Sequence, residues 1–274
     1  MENSNSQYAL ITGGTSGIGK ELAKLFAQDG YNLIIVARDE AELSGTAQEI
    51  SQRFGVNVDT ISKDLFEPNA AEELYDEVKE KGITVNVLVN DAGQGQNGRF
   101  IDYDIQRDVD IIQLNIVSLT ILTKLFLKDM VARNEGKILQ LSSLASKTPG
   151  PLLAVYSATK AYVQSFTQAV INEIKDTNVT MTALLPGATD TDFFNKADAE
   201  NTKQVQDMKL DDPADVAKDG YEALMSGDAQ VVSGFKNKIQ AAMSTIMPEQ
   251  AAATNMRKTM EESDSAEYKK SNNS

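Results

Sequence analysis

The chain has 274 residues, 41% of them hydrophobic and 24% charged, which suits one large globular α/β domain or two small ones. Its net charge of −14 argues against nucleic acid or an anionic membrane as a partner, because both attract clustered Lys and Arg. Cysteine and histidine are absent, which excludes disulfides, thiolate nucleophiles, the usual metal ligands and a Ser-His-Asp triad. We therefore expect no metal site, and acid–base chemistry must use Tyr, Lys, Asp or Glu.

Short apolar runs alternate with longer helical patterns along the chain. The predicted strands are 8–11, 32–37, 58–61, 85–90, 137–142, 180–185 and 230–232. The predicted helices are 18–29, 40–54, 70–81, 105–133, 154–176 and 213–225. Short strands without polar alternation are typical of a parallel sheet covered on both faces. The order predicts an α/β protein with a doubly wound parallel β-sheet of Rossmann type, about seven strands with helices on both faces.

Two segments fall outside this alternation. Residues 192–210 are polar, begin with Phe193 and Phe194, and are either a surface loop or a short helical lid over a site. We divide the chain into a Rossmann-type domain (1–235), a C-terminal helical extension (236–260) and a disordered tail (261–274). The extension contains apolar residues at helical spacing before Pro248, and this face is expected to pack on the body or a second subunit rather than on a membrane: Ile239, Ala242, Met243, Ile246 and Met247.

Targeting signals are not visible in the sequence. The first seven residues are polar, without the basic and apolar regions of a signal peptide. No run of 18 apolar residues occurs, so no membrane span is expected. The composition predicts a cytoplasmic protein.

A glycine-rich segment, residues 12–19, follows the first strand and opens the first helix. Glycines allow the backbone to approach a pyrophosphate, and the helix N-terminus favours its negative charge. A glycine-rich turn that binds nothing is the alternative. Arg38, just after the second strand, is suited to a ribose 2′-phosphate and favours NADPH, with Thr15 and Ser16 as further donors. Arg38 pairing with Asp39 or Glu42 is the alternative, and Asp39 leaves room for NAD.

Tyr156 and Lys160 lie four residues apart in a predicted helix and share one face. A nearby cation lowers the pKa of a phenol from about 10, so that it exchanges protons near neutral pH. Ser143, thirteen residues before Tyr156, can hydrogen-bond the same substrate oxygen. Its neighbour Ser142 competes for this role. Spacing alone does not identify the site, because an earlier set repeats it: Ser62, Tyr75 and Lys79.

Several motifs in order, from about residue 8 to residue 232, resemble the short-chain dehydrogenase/reductase family in its shorter-chain form. Residues 12–19 resemble its TGxxxGxG loop, and residues 90–93 (Asn-Asp-Ala-Gly) its NNAG motif with Asp91 for the second Asn. Residues 186–191 resemble its PGxxxT turn. The resemblance implies catalytic roles for Asn115, Ser143, Tyr156 and Lys160. It also implies cofactor contacts at Gly13, Thr15, Ser16, Gly17, Ile18, Gly19, Arg38, Asp64, Leu65, Asn90, Ala92, Gly93, Tyr156, Lys160, Pro186, Gly187, Thr189 and Thr191.

The resemblance also separates the two Ser-Tyr-Lys sets. Ser62 and Tyr75 flank the third strand, on the adenine side of the switch point, whereas Ser143 follows the fifth strand, on the nicotinamide side. Tyr75 and Lys79 are therefore interpreted as surface residues. Thirteen-residue spacing favours Ser143 over Ser142, which is expected to support it or face the core.

The resulting hypothesis is an enzyme that interconverts a carbonyl compound and an alcohol with NADP(H), favoured over NAD(H). Tyr156 exchanges the proton, Ser143 polarises the oxygen, Lys160 lowers the tyrosine pKa and holds the ribose, and Asn115 holds a relay water. Apolar residues in 94–100, 145–153 and 192–210 suggest a hydrophobic ketone or aldehyde. The alternatives are a non-catalytic NAD(P)-binding regulator and an epimerase or dehydratase on the same scaffold. Family members form homodimers or homotetramers through the two long helices, here 105–133 and 154–176.

Overall fold

The computed structural model describes residues 7–244 and 247–263. Seven strands form one parallel sheet in the order β3-β2-β1-β4-β5-β6-β7. The strands are β1 (Tyr8–Thr12), β2 (Asn32–Ala37), β3 (Val58–Ser62), β4 (Val85–Asn90), β5 (Gly136–Leu141), β6 (Val179–Leu185) and β7 (Gln230–Val232). The predicted fold class is confirmed, and each predicted strand end lies within one residue of its observed position.

The sheet divides two hydrophobic cores, one on each face. Ile11, in β1, belongs to one core, whereas its neighbour Leu10 belongs to the other. Ile35 and Ile34 are divided in the same way in β2. Since side chains alternate between the faces of a strand and both faces are covered, no position of these strands needs to be polar. This explains the uninterrupted apolar runs in the sequence.

Helices cover both faces of the sheet. Side chains of α1 (Gly17–Gln28), α2 (Glu40–Phe54) and α9 (Pro213–Ser226) enter the first core. Side chains of α3 (Ala70–Glu80), α5 (Leu119–Arg133) and α6 (Ala154–Glu173) enter or pack against the second. The local sequence explains where some of these helices begin and end. The Asp39 side chain accepts from the backbone N–H groups of Ala41 and Glu42 at the start of α2, and Gly55 ends that helix with φ = 72°.

The predicted helix 105–133 is interrupted in the structure. It consists of α4 (Ile105–Ile112), a π-helical turn (Gln113–Ser118) and α5. The periodicity of apolar residues gave no sign of the wider turn, which contains Asn115. Taken as one segment, Ile105–Arg133 is long and apolar enough to cross a membrane, with mean hydropathy 1.5 over its most apolar window, and 44% of that window is buried in the fold.

The C-terminal extension contains two helices, α10 (Phe235–Ser244) and α11 (Glu249–Met260). Ile246, part of the predicted apolar face, lies outside the described residues. Two short helices, α7 (Phe193–Lys196) and α8 (Lys203–Gln206), occupy the segment that was predicted as a loop or a lid. Met256 and Met260 of α11 pack with Phe194 and Val205 of that segment.

Residues 261–263, which the sequence assigned to a disordered tail, contact the rest of the protein. Glu262 forms an isolated antiparallel bridge with Thr202, and the Ser263 hydroxyl donates to Asp207. These contacts attach residues 261–263 to α8. Residues 264–274, for which disorder was also predicted, lie outside the described residues.

Candidate active site

The glycine loop between β1 and α1 is shaped for close approach of a ligand. Gly13 has φ = 73° and Gly17 has φ = 53°, which are conformations that L-residues with side chains rarely adopt. A Cβ on Gly13 would lie 3.1 Å from the backbone of Ala92, and one on Gly17 would lie 2.9 Å from Thr191 Cγ2. Side chains at these positions would therefore fill the cradle and strain the loop. The loop and the following helix N-terminus fit a dinucleotide pyrophosphate.

A cavity of about 1040 Å³ runs from this loop across the carboxyl ends of the strands. Its size is at the upper end of single-ligand pockets, which suits a dinucleotide together with a substrate. It is lined by most of the residues predicted from the resemblance: Gly13, Thr15, Ser16, Gly17, Ile18, Arg38, Asp64, Leu65, Ala92, Gly93, Ser143, Tyr156, Pro186, Gly187, Thr189 and Thr191.

Asn90 does not line this cavity, and its predicted cofactor contact is not supported. Its side-chain amide donates to Thr123 Oγ1 at 3.1 Å and to Gln140 Oε1 at 3.0 Å, on the side of the sheet that α5 covers. Asn90 is 3% exposed and acts in the core. Gly19 is also outside the cavity lining. It lies beneath the loop, where a Cβ would be 2.5 Å from Asp91 Oδ2 and 2.6 Å from the carbonyl oxygen of Gly13.

Arg38 lies at the adenine end of the cavity and does not pair with Asp39 or Glu42. Its guanidinium lies 3.8 Å from Asp64 Oδ2 and 5.2 Å from the centroid of the Phe66 ring. Asp39 instead caps α2. The hydroxyl of Thr15 donates to Glu42 at 3.2 Å. Arg38 therefore remains half exposed beside the loop, held by a long ion pair and by the face of the Phe66 ring.

The structure distinguishes the two adjacent serines. Ser142 is buried, and its hydroxyl donates to the carbonyl oxygen of Lys160, so it fastens α6 to the sheet. Ser143 lines the cavity, and its hydroxyl accepts from the backbone N–H of Ala145 in a 3₁₀ turn. The Ser143 hydroxyl also hydrogen-bonds the phenol of Tyr156.

Tyr156 projects from the first turn of α6 into the cavity and packs against α7. Its ring lies 4.9 Å from that of Phe193 in α7. Burial raises the pKa of Tyr156 to about 12. The hydrogen bond from Ser143 opposes this rise only in part, and the charge of Asp91 adds to it. The phenol therefore retains its proton at neutral pH.

Lys160 is 4% exposed and lies one turn after Tyr156. Its Nζ donates to the carbonyl oxygen of Leu141 at 2.7 Å and lies 5.7 Å from the centroid of the Tyr156 ring. Burial lowers the pKa of Lys160 to about 8, and the charge of Asp91 opposes that shift. The pKa of Tyr156 is thus raised rather than lowered, because burial of the phenol outweighs the groups around it, and the effect of Lys160 on that pKa stays a prediction.

Asn115 and Lys160 converge beneath Gly93. A Cβ on Gly93 would lie 3.2 Å from Lys160 Nζ and 3.3 Å from Asn115 Oδ1. The Asn115 amide donates to the Gln94 carbonyl oxygen and to Thr159 Oγ1, while its Oδ1 accepts from the Gln94 N–H. The side chain therefore fixes the chain after β4 and links it to α6. The water-holding role of Asn115 stays a prediction.

Sequence reasoning missed several residues of the site. Thr12 Oγ1 accepts from the N–H groups of Asp91 and Ala92 and so joins the ends of β1 and β4. Asn237, from the C-terminal extension, donates to Asp211 Oδ2, and its amide lies 2.5 Å from where a Cβ of Gly187 would be. The boundary drawn at residue 235 therefore does not separate the extension from the site. The polar residues of α10 on the face opposite its apolar stripe were the available signal.

The second Ser-Tyr-Lys set lies elsewhere, as its acidic helix indicated. The hydroxyl of Tyr75 and the Nζ of Lys79 both donate to Asp129 of α5, at 3.0 and 2.9 Å. Ser62 donates to the carbonyl oxygen of Arg38. None of the three lines the cavity. Among residues 7–244 and 247–263, no group of acidic side chains is arranged to hold a metal ion.

The fold, the glycine loop and the cavity define a dinucleotide-binding protein of Rossmann type. The sequence profile of the short chain dehydrogenase family matches residues 7–202. This chain belongs to that family. The match covers β1 to α7 and leaves β7 and α8 to α11 outside, so the residues of the extension are not accounted for by the family pattern.

Curated relatives match part of the chain. It is 36% identical over 186 residues to the very-long-chain 3-oxoacyl-CoA reductase of Bos taurus, covering 66% of this chain and 58% of that protein. It is 39% identical over 172 residues to the protein of the same name from Coprinopsis cinerea, covering 61% of this chain and 50% of that protein. The chain thus spans little more than half the length of these relatives.

Solved structures match most of the chain. A short-chain dehydrogenase from Sphingobium yanoikuyae in complex with NADPH is 26% identical, with a TM-score of 0.78 over 90% of this chain and 98% of that one. A 7beta-hydroxysteroid dehydrogenase is 24% identical, with a TM-score of 0.81 over 92% of this chain and 96% of that one, and supports the fold alone.

Proposed function

We propose that this chain is an NADPH-preferring reductase of hydrophobic ketones or aldehydes. The observation that carries the proposal is the position of Ser143 and Tyr156 in one cavity with the glycine loop, with Lys160 buried behind them. The names of the relatives support carbonyl reduction and make 3-oxoacyl thioesters the first substrates to test. The intact set of three residues favours an enzyme over a non-catalytic dinucleotide-binding regulator.

The residues of the chain would act on the carbonyl oxygen of the substrate. When bound, the reduced nicotinamide supplies the hydride. Tyr156 donates the proton, and its pKa of about 12 keeps it in the protonated form that reduction requires. Ser143 donates a hydrogen bond to the same oxygen and thereby stabilises the charge that develops there. Oxidation of an alcohol would require the phenolate and is therefore disfavoured near neutral pH.

Lys160 and Asn115 would prepare the site rather than contact the carbonyl. The ammonium of Lys160, held by the Leu141 carbonyl oxygen, lies within reach of a nicotinamide ribose bound over Gly93. Its pKa of about 8 also suits it to return a proton to Tyr156 after each turnover. Asn115 fixes the chain at Gln94, on which the position of Gly93 depends.

NADPH preference rests on Arg38. Arg38 makes a long ion pair with Asp64, lies over the Phe66 ring and stands half exposed beside the glycine loop, so its guanidinium can pair with a 2′-phosphate. Asp39, the acid that would accept from an unphosphorylated ribose, is engaged in capping α2. These two observations together favour NADP(H) over NAD(H).

The test of the proposal begins with cofactor binding. Purified protein is titrated with NADPH and with NADH. We expect the dissociation constant for NADPH to be at least about tenfold lower, because one charge-assisted hydrogen bond contributes about that factor in affinity. Arg38→Gln is expected to remove the difference by weakening NADPH alone. Tighter binding of NADH would overturn the preference, and binding of neither would overturn the function. NADPH oxidation is then followed with a panel of 3-oxoacyl thioesters, aliphatic and aromatic ketones, and aldehydes.

A homo-oligomer through α4, α5 and α6 belongs to the same proposal. Several apolar side chains of these helices are exposed: Ile105, Val109, Ile112, Val117, Val131 and Tyr162. Light scattering of the protein and of a Val109→Asp variant tests it, because a charge on this face is expected to lower the molar mass of the particle. A cytoplasmic location stays a prediction from composition.

A further inference from the structure

Asp91 is a charged group in the site to which the proposed mechanism gives no role. It follows β4, where an asparagine would complete the motif, and its side chain lies between the glycine loop and α6. Asp91 Oδ2 lies 3.1 Å from where a Cβ of Gly13 would be and 2.5 Å from where a Cβ of Gly19 would be. The carboxyl therefore contacts both ends of the loop that would hold the pyrophosphate.

The hydrogen-bonding capacity of the Asp91 carboxyl is only partly used. The N–H of Gly19 donates to it, whereas Oδ1 is buried without a hydrogen-bond partner. A Cβ built on Gly19 would lie 2.5 Å from Asp91 Oδ2 and 2.6 Å from the carbonyl oxygen of Gly13. These two hydrogen-bond acceptors therefore face the same small space. An asparagine would present an N–H₂ donor in this position, and a carboxylate presents none. A protonated carboxyl restores one donor.

The titratable groups that face Asp91 both come from α6. Lys160 favours the carboxylate, and Tyr156 is itself raised in pKa by the charge of Asp91. From β1, the Thr12 hydroxyl contacts the Asp91 N–H, and the side chain of Asn115, in the π-helical turn, is neutral. Burial outweighs the effects of Lys160 and Gly19 and raises the pKa of Asp91 to about 7.

We propose that dinucleotide binding in the glycine loop is coupled to protonation of Asp91. A carboxylate against the loop repels the pyrophosphate and leaves Oδ2 facing the Gly13 carbonyl oxygen without a donor between them, whereas the neutral acid removes the charge and supplies that donor. Binding therefore takes up a proton at Asp91 when the free protein holds it as the carboxylate. This inference rests on the proposed function only in assuming that the loop binds a dinucleotide.

Loss of the Asp91 charge also acts on the catalytic pair. The carboxylate raises the pKa of both Lys160 and Tyr156. A bound dinucleotide that keeps Asp91 neutral would thus lower both values, which brings Tyr156 nearer to the pH at which proton exchange is efficient. Asp91 is in this view a positioning residue that connects the phosphate end of the site to its catalytic end.

The experiment compares wild type with Asp91→Asn, which keeps the shape of the side chain and removes its charge. Dissociation constants for NADH, which lacks the titrating 2′-phosphate, are measured by fluorescence from pH 5.5 to 8, with NADPH as a second ligand. We expect the wild-type constant to rise about fivefold between pH 5.5 and pH 8, the effect of raising the pKa of Asp91 by one unit from about 7, and the variant to stay nearly flat. Equal slopes in the two proteins would overturn the proposal.

Calorimetry of the wild type keeps the proposal testable if the variant does not fold. Binding enthalpies at pH 7.5, measured in two buffers of different ionisation enthalpy, give the number of protons taken up. About half a proton is expected for the same one-unit shift, and no uptake would overturn the coupling. If neither dinucleotide binds at any pH, the proposed function fails as well, so the two failures are distinguishable.

Stability of the free protein gives an independent measure. The pKa of Asp91 is raised in the folded state, from 3.8 to about 7, so the stability it contributes is present at low pH and is lost as the pH rises through about 7. The melting temperature of wild type should therefore fall relative to that of Asp91→Asn between pH 4.5 and 7.5. Parallel curves for the two proteins would contradict a raised pKa and with it the coupling.

Discussion

Ser143, Tyr156 and Lys160 form one of two sets in this chain with the same residue types and spacing, the other being Ser62, Tyr75 and Lys79. In both sets the tyrosine and lysine share a helix face. In the first, the lysine is buried and its partner is a neutral carbonyl oxygen. In the second, Lys79 is half exposed and pairs with Asp129, which also accepts from Tyr75.

The difference lies in what surrounds each helix. The carboxylate of Asp129 satisfies both donors of the second set and leaves nothing for a substrate. The first set has no acid in direct contact, and its phenol faces a cavity shared with the glycine loop. Spacing therefore determines which side chains are neighbours. The packing around them determines whether their hydrogen-bond donors are available to a ligand. Four predictions test this distinction.

The largest effect is expected at the two tyrosines. Tyr156→Phe removes the only proton donor proposed for the carbonyl and should lower kcat by about 10³-fold or more, with the NADPH dissociation constant changed less than about threefold. Tyr75→Phe is the matched control and should leave kcat within about twofold, while losing about 1 kcal/mol of stability with its hydrogen bond to Asp129. Steady-state kinetics and denaturant melts measure both. Normal turnover by Tyr156→Phe would refute the assignment.

The second-largest effect on kcat is expected at Ser143, compared with Ser62 of the second set. Ser143→Ala removes a donor to the substrate oxygen and should lower kcat by about 10²-fold. Ser62→Ala loses only a bond to the Arg38 carbonyl oxygen and should leave kcat nearly unchanged. If Ser142→Ala, rather than Ser143→Ala, abolished turnover without unfolding the protein, the division of roles between the adjacent serines would be reversed.

The pH dependence should reflect Lys160. With a pKa lowered to about 8 by burial, it is protonated below pH 8 and loses its charge above. Carbonyl reduction should therefore be level below about pH 8 and decline by up to about tenfold per pH unit above it, whereas alcohol oxidation should rise. Initial rates in both directions from pH 6 to 10 measure this. A reductive rate that stays level to pH 10 would contradict the role of Lys160.

The smallest effect is expected at Lys79. Its ion pair with Asp129 is half exposed, so Lys79→Ala should cost less than about 1 kcal/mol of stability, and less at high salt. Turnover should not change. Urea melts at low and high salt, together with kinetics, give the comparison. A fall in kcat to the level of a Lys160 variant would mean that the second set contributes to activity.

Much of the architecture followed from local sequence. The seven strands are uninterrupted apolar runs because both sheet faces are covered, and their order alone implied crossovers by helices. The glycine loop was readable because Gly13 and Gly17 stand in the positions where the backbone needs positive φ. Spacing favoured Ser143 over Ser142, and the structure places Ser143 at the cavity and Ser142 against α6.

Other features depended on contacts between distant parts of the chain. The π-helical turn around Asn115 was not visible in the sequence, because the following α5 has apolar residues on most of its faces and therefore hides the change of phase that one extra residue produces. Asn90 matched a motif, yet its side chain points toward Thr123 and Gln140, which only the sheet brings near it. Asn237 lies fifty residues beyond Gly187 in the chain and meets it only because α10 folds back over the strand ends.

The sequence by itself determined the fold class and was sufficient to predict the glycine loop and the three side chains of the candidate site, because these predictions depend on backbone geometry and on spacing along the chain. The tertiary structure decided their chemistry. Lys160 was expected to lower the pKa of Tyr156, but burial, which no spacing reveals, raises that pKa instead. The role proposed for Asp91 was likewise invisible in the motif, because its charge acts through Gly13 and Gly19 of the glycine loop and Lys160 of α6, two segments that only the fold brings around it.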